Sequence, residues 1–286
     1  MDISSFYKKQ GYQRSNIKYR IISFGAGTQS IAMTLMALEG KFGDKPDFGV
    51  FCDTHAEPQV VYDYLDTFKK YVKKKYNFDI YETSNGNLID DVLSEGRSAS
   101  LPYHVKKDDG KNGILLRQCT YEYKILPFHK FIKEKLDIPR KNKHSVPYIE
   151  TWFAISTDEM TRIKESNKWY SVHRYPLIEK NVHRVKSIRY VESLGFDKPP
   201  RSSCVVCPYR SDKEWNLLKK EELELAIDFE KKINKNNKIK NKLYLHPSLK
   251  ELELVDFNKN KNQLEFGFVN ECDGYCGIWE HLEVMY

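Results

Sequence analysis

The sequence predicts an α/β protein: a doubly wound, Rossmann-like parallel sheet followed by a C-terminal, cysteine-bearing helical or irregular extension. Three observations predict it. A short apolar run at Ile21 and Ile22 enters the glycine-rich turn Gly25-Ala26-Gly27-Thr28-Gln29-Ser30, and an apolar stretch at helical spacing follows. Strand-like and helix-like segments then alternate at βαβ spacing. Beyond Pro199-Pro200 the chain changes character and carries Cys204-Val205-Val206-Cys207. These divide it into an α/β domain over 1–198 and a cysteine-rich extension over 199–286.

Taken in order, the first strand and turn feed a helix over 31–38. Residues 47–52 (DFGVFC) read as a buried strand that runs into Asp53-Thr54-His55-Ala56-Glu57, and 62–76 reads as a helix with a lysine-rich outer face. Residues 78–83 (FDIYET) form a third strand. The polar, basic, glycine-punctuated segment 94–118 is long enough to be a lid. A helix over 120–136 and a strand over 150–155 (ETWFAI) follow, the strand ending in the acidic turn Ser156-Thr157-Asp158-Glu159-Met160-Thr161-Arg162. A helical stretch spans 212–233. Ligands of such sheets bind at the carboxyl ends of the strands, where the glycine-rich and acidic turns fall.

A strand entering a helix through a glycine-rich loop aims backbone N–H groups and the positive end of the helix dipole at one point, which suits a phosphate. Gly25 and Gly27 allow close backbone approach, while Thr28, Gln29 and Ser30 offer side-chain donors. The turn lacks the Gly-Lys-Ser/Thr of a Walker loop.

The chain of 286 residues is 40% apolar and 30% charged, ordinary for a globular protein. No apolar run approaches the roughly 20 residues that span a bilayer, and the N-terminus has no apolar signal-peptide region. A cytoplasmic protein is expected, in which the six cysteines serve metal or redox chemistry rather than disulfides. The net charge of +7 is concentrated at 69–75, 106–111, 140–143 and 231–242, which are either solvated faces or a footprint for a polyanion.

Cys204 and Cys207 have metal-ligand spacing, or that of a redox pair. With Cys119, Cys272 and Cys276 they give four ligands and a spare, and spacing alone fits a [4Fe–4S] cluster and a zinc site equally. Cys52 lies in an apolar strand and reads as core, and Trp152, Trp169 and Trp215 read as filling the core or its edges. His55 and His246 read first as structural.

GAGTQS resembles the PP-loop, usually Ser-Gly-Gly-x-Asp-Ser. With CDTHAEP, RQCTYEYKILP, ISTDEMTR, SSCVVCPYR and ECDGYCGI, the chain resembles the phosphoadenosine phosphosulfate (PAPS) reductase branch of the PP-loop, adenine nucleotide α-hydrolase superfamily, over about 23–278. The resemblance implies a PP-loop, HUP-like fold and a nucleotide held by Ser23, Gly25, Ala26, Gly27, Thr28, Gln29 and Ser30. Asp53, Thr54 and Glu57 would lie near nucleotide or metal. It also implies a [4Fe–4S] cluster on Cys119, Cys204, Cys207 and either Cys272 or Cys276, with zinc as the alternative. Thr120 stands where related reductases carry a second adjacent cysteine. YCGIW partly matches their Glu-Cys-Gly-Ile/Leu-His ending, which makes Cys276 a sulfur-handling thiol, with Trp279 in place of the histidine.

Gly25 and Gln29 replace the usual serine and aspartate, so Asp53, Asp158 or Glu159 would supply the carboxylate that helps organise Mg²⁺. The implied activity is an ATP pyrophosphatase that adenylates its substrate before sulfur transfer to a nucleic acid or nucleotide, as in the DNA phosphorothioation and tRNA thiolation enzymes it resembles. Lys124, Arg117 and Arg162 would stabilise departing charge, unless Arg162 merely pairs with Asp158 four residues earlier. Implied partners are an adenine nucleotide, DNA or tRNA, and a cysteine desulfurase or thioredoxin-like donor, in a homo-oligomer or larger complex. An adenylyl sulfate reductase and a nucleotide-binding regulatory or defence-complex subunit without turnover are the alternatives, the last motivated by Gln29.

Overall fold

The computed structural model describes residues 3–94, 101–108, 110–141, 145–235 and 241–258. In chain order the elements are α1 (Ile3–Lys9), β1 (Tyr19–Phe24), α2 (Thr28–Leu38), β2 (Phe48–Asp53), α3 (Gln59–Tyr76), β3 (Ile80–Ser84), α4 (Leu88–Leu93), β4 (His104–Lys106) and β5 (Asn112–Ile114). A π-helical turn, Tyr121–Ile125, leads into α5 (Leu126–Lys135). Then come β6 (Ile149–Phe153), a 3₁₀ turn Thr157–Arg162, β7 (Ser171–Arg174), α6 (Pro176–Glu179), α7 (Arg184–Ser193), α8 (Asp212–Asn216) and α9 (Lys220–Lys235).

Five strands form one sheet in the order β3-β2-β1-β6-β7, every neighbouring pair parallel. The chain winds outward from β1 through β2 to β3, then returns to place β6 on the other side of β1. The topological switch point therefore lies between the carboxyl ends of β1 and β6, where such sheets open a crevice for ligands.

Both faces of the sheet are covered, and strand alternation decides which residue faces which layer. Ile22, Phe24, Phe51 and Trp152 pack with α2, α3 and α7. Ile21, Val50, Cys52 and Ile149 pack with Phe128 and Ile132 of α5. Helix α2 is wedged between sheet and α7, so even its Thr28, Gln29, Ser30 and Thr34 are buried. Helix α3 is two-faced: Val61, Leu65, Phe68 and Val72 recur at helical spacing on the buried side, and its lysines face water.

A second apolar cluster joins Leu88 and Ile89 of α4, Tyr103, Val105 and Tyr123 to Cys204, Val206, Trp215 of α8, Phe229 of α9 and Leu243. No helix among the described residues is long and apolar enough to cross a membrane.

Several elements differ from the sequence reading. The helix expected over 120–136 begins as the π-turn, because Pro127 has no N–H to donate back into the preceding turn. The stretch 212–233 is two helices, α8 and α9. Within 94–118 the described residues form the antiparallel hairpin β4–β5, and His104 bridges to Tyr244. Trp152 and Trp215 are fully buried, Trp169 packs at the edge, and Cys52 is a core thiol pushed by burial up to about 12.

Candidate nucleotide- and sulfur-handling edge

The loop after β1 is buried throughout, from Gly25 to Ser30. Its left-handed residue is Ala26, with φ of 56°, and neither Gly25 nor Gly27 has a positive φ. The Ala26 methyl packs into the main core, which offsets the cost of that torsion, about 1 kcal/mol for a residue bearing a Cβ. Gly27 is the N-cap of α2 and offers no side chain to the first-turn N–H groups. Ser30 Oγ donates to the Gly27 carbonyl at 2.9 Å. Thr28 Oγ1, sealed from solvent, has no hydrogen-bond partner among the described residues. Ser23 lies on β1, in register with Val50 of β2 and Phe153 of β6.

Gln29 spans the switch point. Its Nε2 donates to Glu159 Oε2 at 2.7 Å and to Ser156 Oγ at 3.2 Å, both in the turn after β6. Its Oε1 accepts from Arg184 Nη1 at 3.3 Å. The amide is thus engaged at both ends, although the sequence placed it among the phosphate-facing donors. Arg162 forms its ion pair with Glu159, three residues back, rather than with Asp158. Asp158 instead accepts from the Arg184 backbone N–H at 2.6 Å and so caps α7. An aspartate at position 29 would set a second carboxylate against Glu159; glutamine supplies the donor that Glu159 needs.

The turn after β2 carries the other group. Asp53 Oδ1 accepts from Tyr62 Oη at 2.7 Å and from the His55 N–H at 2.8 Å, and His55 Nδ1 lies 3.1 Å from Oδ2. Burial, followed by the bond to Asp53, holds the Tyr62 phenol protonated well above its usual range. Glu57 differs: its carboxylate oxygens are sealed from solvent and accept no hydrogen bond among the described residues, and Oε1 lies 3.5 Å from Lys124 Nζ. The π-turn carries Lys124 into this buried position.

The cysteine turn docks directly on that edge. Val205 N–H donates to the Ala56 carbonyl at 2.7 Å, and Thr54 Oγ1 lies 3.2 Å from Cys204 Sγ. Cys207 N–H closes the turn onto the Cys204 carbonyl at 3.0 Å. Arg210, 6% exposed, donates Nε to the Cys204 carbonyl at 3.1 Å and Nη2 to the Ser203 carbonyl, with its guanidinium over Trp215. Burial, helped by the neighbouring Arg201, holds the Arg210 guanidinium below its usual range, and Cys207, Glu214 and Glu57 counter it only in part. Cys119 and Cys207 both pack against the apolar cluster that contains Cys204. Arg117 is buried over the Tyr209 ring.

Among the described residues no group of three or more His, Cys, Asp or Glu side chains is set to hold a metal ion. Cys272 and Cys276 lie outside the described residues. Hydroxyls beside the cysteines, Thr120 Oγ1, Ser202 Oγ and Ser203 Oγ, are buried without hydrogen-bond partners among the described residues. Hydroxyl donors with nothing to bond, next to thiols and a buried cation, suit an electron-rich sulfur-bound group. His246 bonds Ser248 Oγ at 2.7 Å and Asp212 Oδ1 at 2.8 Å.

Sequence reasoning missed Arg184 and Arg210. Arg184 meets Gln29 across 155 residues, a pairing that no local spacing encodes. Arg210 is three residues past the cysteine pair, and its excess of buried charge becomes visible only when its carbonyl acceptors are seen.

No family model matches the chain, and no curated protein matches it. Eight chains of solved structures match. One to which the chain is similar is the crystal structure of phosphoadenylyl-sulfate (PAPS) reductase from Candida auris in its phosphate complex. That match has 15% identity and a TM-score of 0.37, over 63% of this chain and 73% of that one.

Proposed function

We propose that the carboxyl edge of the sheet binds an adenine nucleotide and serves adenylation coupled to sulfur transfer onto a nucleic acid or nucleotide. The observation that carries this reading is the 3.2 Å approach of Cys204 Sγ to Thr54 on the edge that also presents the uncapped N-terminus of α2. A helix end suited to a phosphate and the turn that bears the cysteines both lie at the carboxyl edge of the sheet. The adenine and sulfur assignments rest on the resemblance in the motifs.

In this reading the N–H groups of the first turn of α2, with Thr28 Oγ1, receive phosphate oxygens. A substrate oxygen bonds to the α-phosphorus as the bond to the bridging oxygen breaks, and pyrophosphate leaves with that electron pair. A sulfur nucleophile then displaces AMP. Buried Lys124 and Arg162 stabilise the developing charge, because a cation fixed in a low-dielectric site needs no reorganisation. Glu57, whose oxygens accept no hydrogen bond among the described residues, is better suited to Mg²⁺ than Asp53.

Cys119, Cys204 and Cys207, completed by Cys272 or Cys276, would hold the [4Fe–4S] cluster. When bound, it supplies thiolate-ligated iron and sulfide for the sulfur step. Thr120, Ser202 and Ser203 would donate to its sulfurs, and Arg210 would balance its charge.

Iron and acid-labile sulfide on anaerobically purified protein, with pyrophosphate release from ATP in the presence of DNA or tRNA, tests the proposal. About four of each per chain and nucleic-acid-dependent pyrophosphate are expected. Zinc alone removes the cluster from it. Dithiol-dependent sulfite from PAPS without ATP replaces it with a reductase.

A further inference from the structure

Helices α2 and α7 lie side by side and run the same way. Gln29 meets Arg184 at their N-termini, and Tyr190 Oη donates to Glu39 Oε2 at 2.6 Å at the other end. The positive ends of two helix dipoles therefore meet at the switch point. The end of α7 is satisfied, with Asp158 on the Arg184 N–H and the His183 side chain on the Lys186 N–H. The end of α2 is not: Gly27 gives no side-chain cap, and Thr28 Oγ1 in its first turn is buried without a hydrogen-bond partner among the described residues. An anion is favoured at α2.

We propose that Arg184 is the ligand for the distal phosphates of a nucleoside polyphosphate bound at α2, and that Gln29 positions it there without touching the nucleotide. The inference rests on the nucleotide reading above and adds the phosphate chain that the site selects. Gln29 is in the first turn of α2, so a guanidinium bonded to its amide lies within one helical turn of the N–H donors. The Arg184 side chain is half-exposed at this point. A planar guanidinium takes two phosphate oxygens at once, and such charged bonds exceed the 3.3 Å contact to a neutral amide. A single phosphate is satisfied by α2 alone; a chain of them extends to Arg184. Glu159 completes the device by holding the Gln29 Nε2, which turns Oε1 toward Arg184.

Calorimetric titration of the full chain, prepared without oxygen, with ATP, AMP and inorganic pyrophosphate tests this. Arg184→Gln is expected to weaken ATP and pyrophosphate by about tenfold, the loss of one charge-assisted contact, and to leave AMP within about twofold. Arg184→Lys restores part of the loss. Gln29→Leu removes the amide that Arg184 Nη1 meets and lowers the ATP-to-AMP affinity ratio in the same direction, measured well below a melting temperature that itself falls because Glu159 loses a buried donor. Equal weakening of AMP, or an unchanged ATP affinity in Arg184→Gln, overturns the inference while the nucleotide reading stands. A wild-type chain that binds none of the three overturns both.

Discussion

At the residue scale, two buried imidazoles tie stability to pH. His129 is 7% exposed and bonds Tyr170 Oη at 3.1 Å; His173 is 1% exposed and bonds the Lys164 carbonyl at 2.9 Å. Burial lowers His129 to about 3 and His173 to about 4, from an unfolded value near 6.5. Each stays neutral in the folded chain while the unfolded chain takes up a proton. Their contribution is complete above pH 6.5 and falls away as pH drops toward 4, by up to about 1.4 kcal/mol per residue per pH unit. Thermal melts between pH 7.5 and 5 are expected to show a steep loss, shallower in His129→Gln. The same scale shows what the sequence made legible. Cys52 as core and the placing of Asp53, Thr54 and Glu57 on the carboxyl edge follow from local pattern, since an apolar strand ending in polar residues has few places to go. The partners of Gln29 were not legible, because its sequence neighbours say nothing about which distant turn packs over it.

Among elements, α4 shows how a short helix is held. Asn87 Oδ1 accepts from the Ile89 and Asp90 N–H groups, and the Leu88 N–H donates to the Thr54 carbonyl, so this helix supports the turn after β2 at the carboxyl edge of the sheet. Asn87→Ala is expected to lower stability by about 1 kcal/mol, measured by urea unfolding at constant slope. Strands β1, β2, β3 and β6 were readable from their apolar runs. Strand β7 was not, because its sequence Ser-Val-His-Arg looks like a surface segment, yet all four residues are buried. The polar members enter the core because each is met there: Ser171 by Thr151, His173 by Lys164, and Arg174 by Glu150, Asp44 and Glu179. Such pairing is a property of the assembled sheet and has no local signature.

For the whole molecule, the decisive feature is the second apolar cluster, which draws residues from Ala56 to Leu252 into one core. The described part of 199–286 shares its interior with α4, the β4–β5 hairpin and the π-turn, so the cysteine turn and the sheet edge are fixed relative to each other. Trp215→Ala, at a fully buried site, is expected to lower stability by about 3–5 kcal/mol in one cooperative transition that also releases the cysteine turn, followed by denaturant titration with tryptophan fluorescence and thiol labelling. The strained torsion at Ala26 has a consequence for kinetics. Its methyl is locked into the core before any ligand arrives, so the entropy of shaping the loop is spent during folding rather than at encounter. For the anion proposed at α2 the cradle is already formed, and its association rate would be governed by diffusion and charge steering instead of by loop closure.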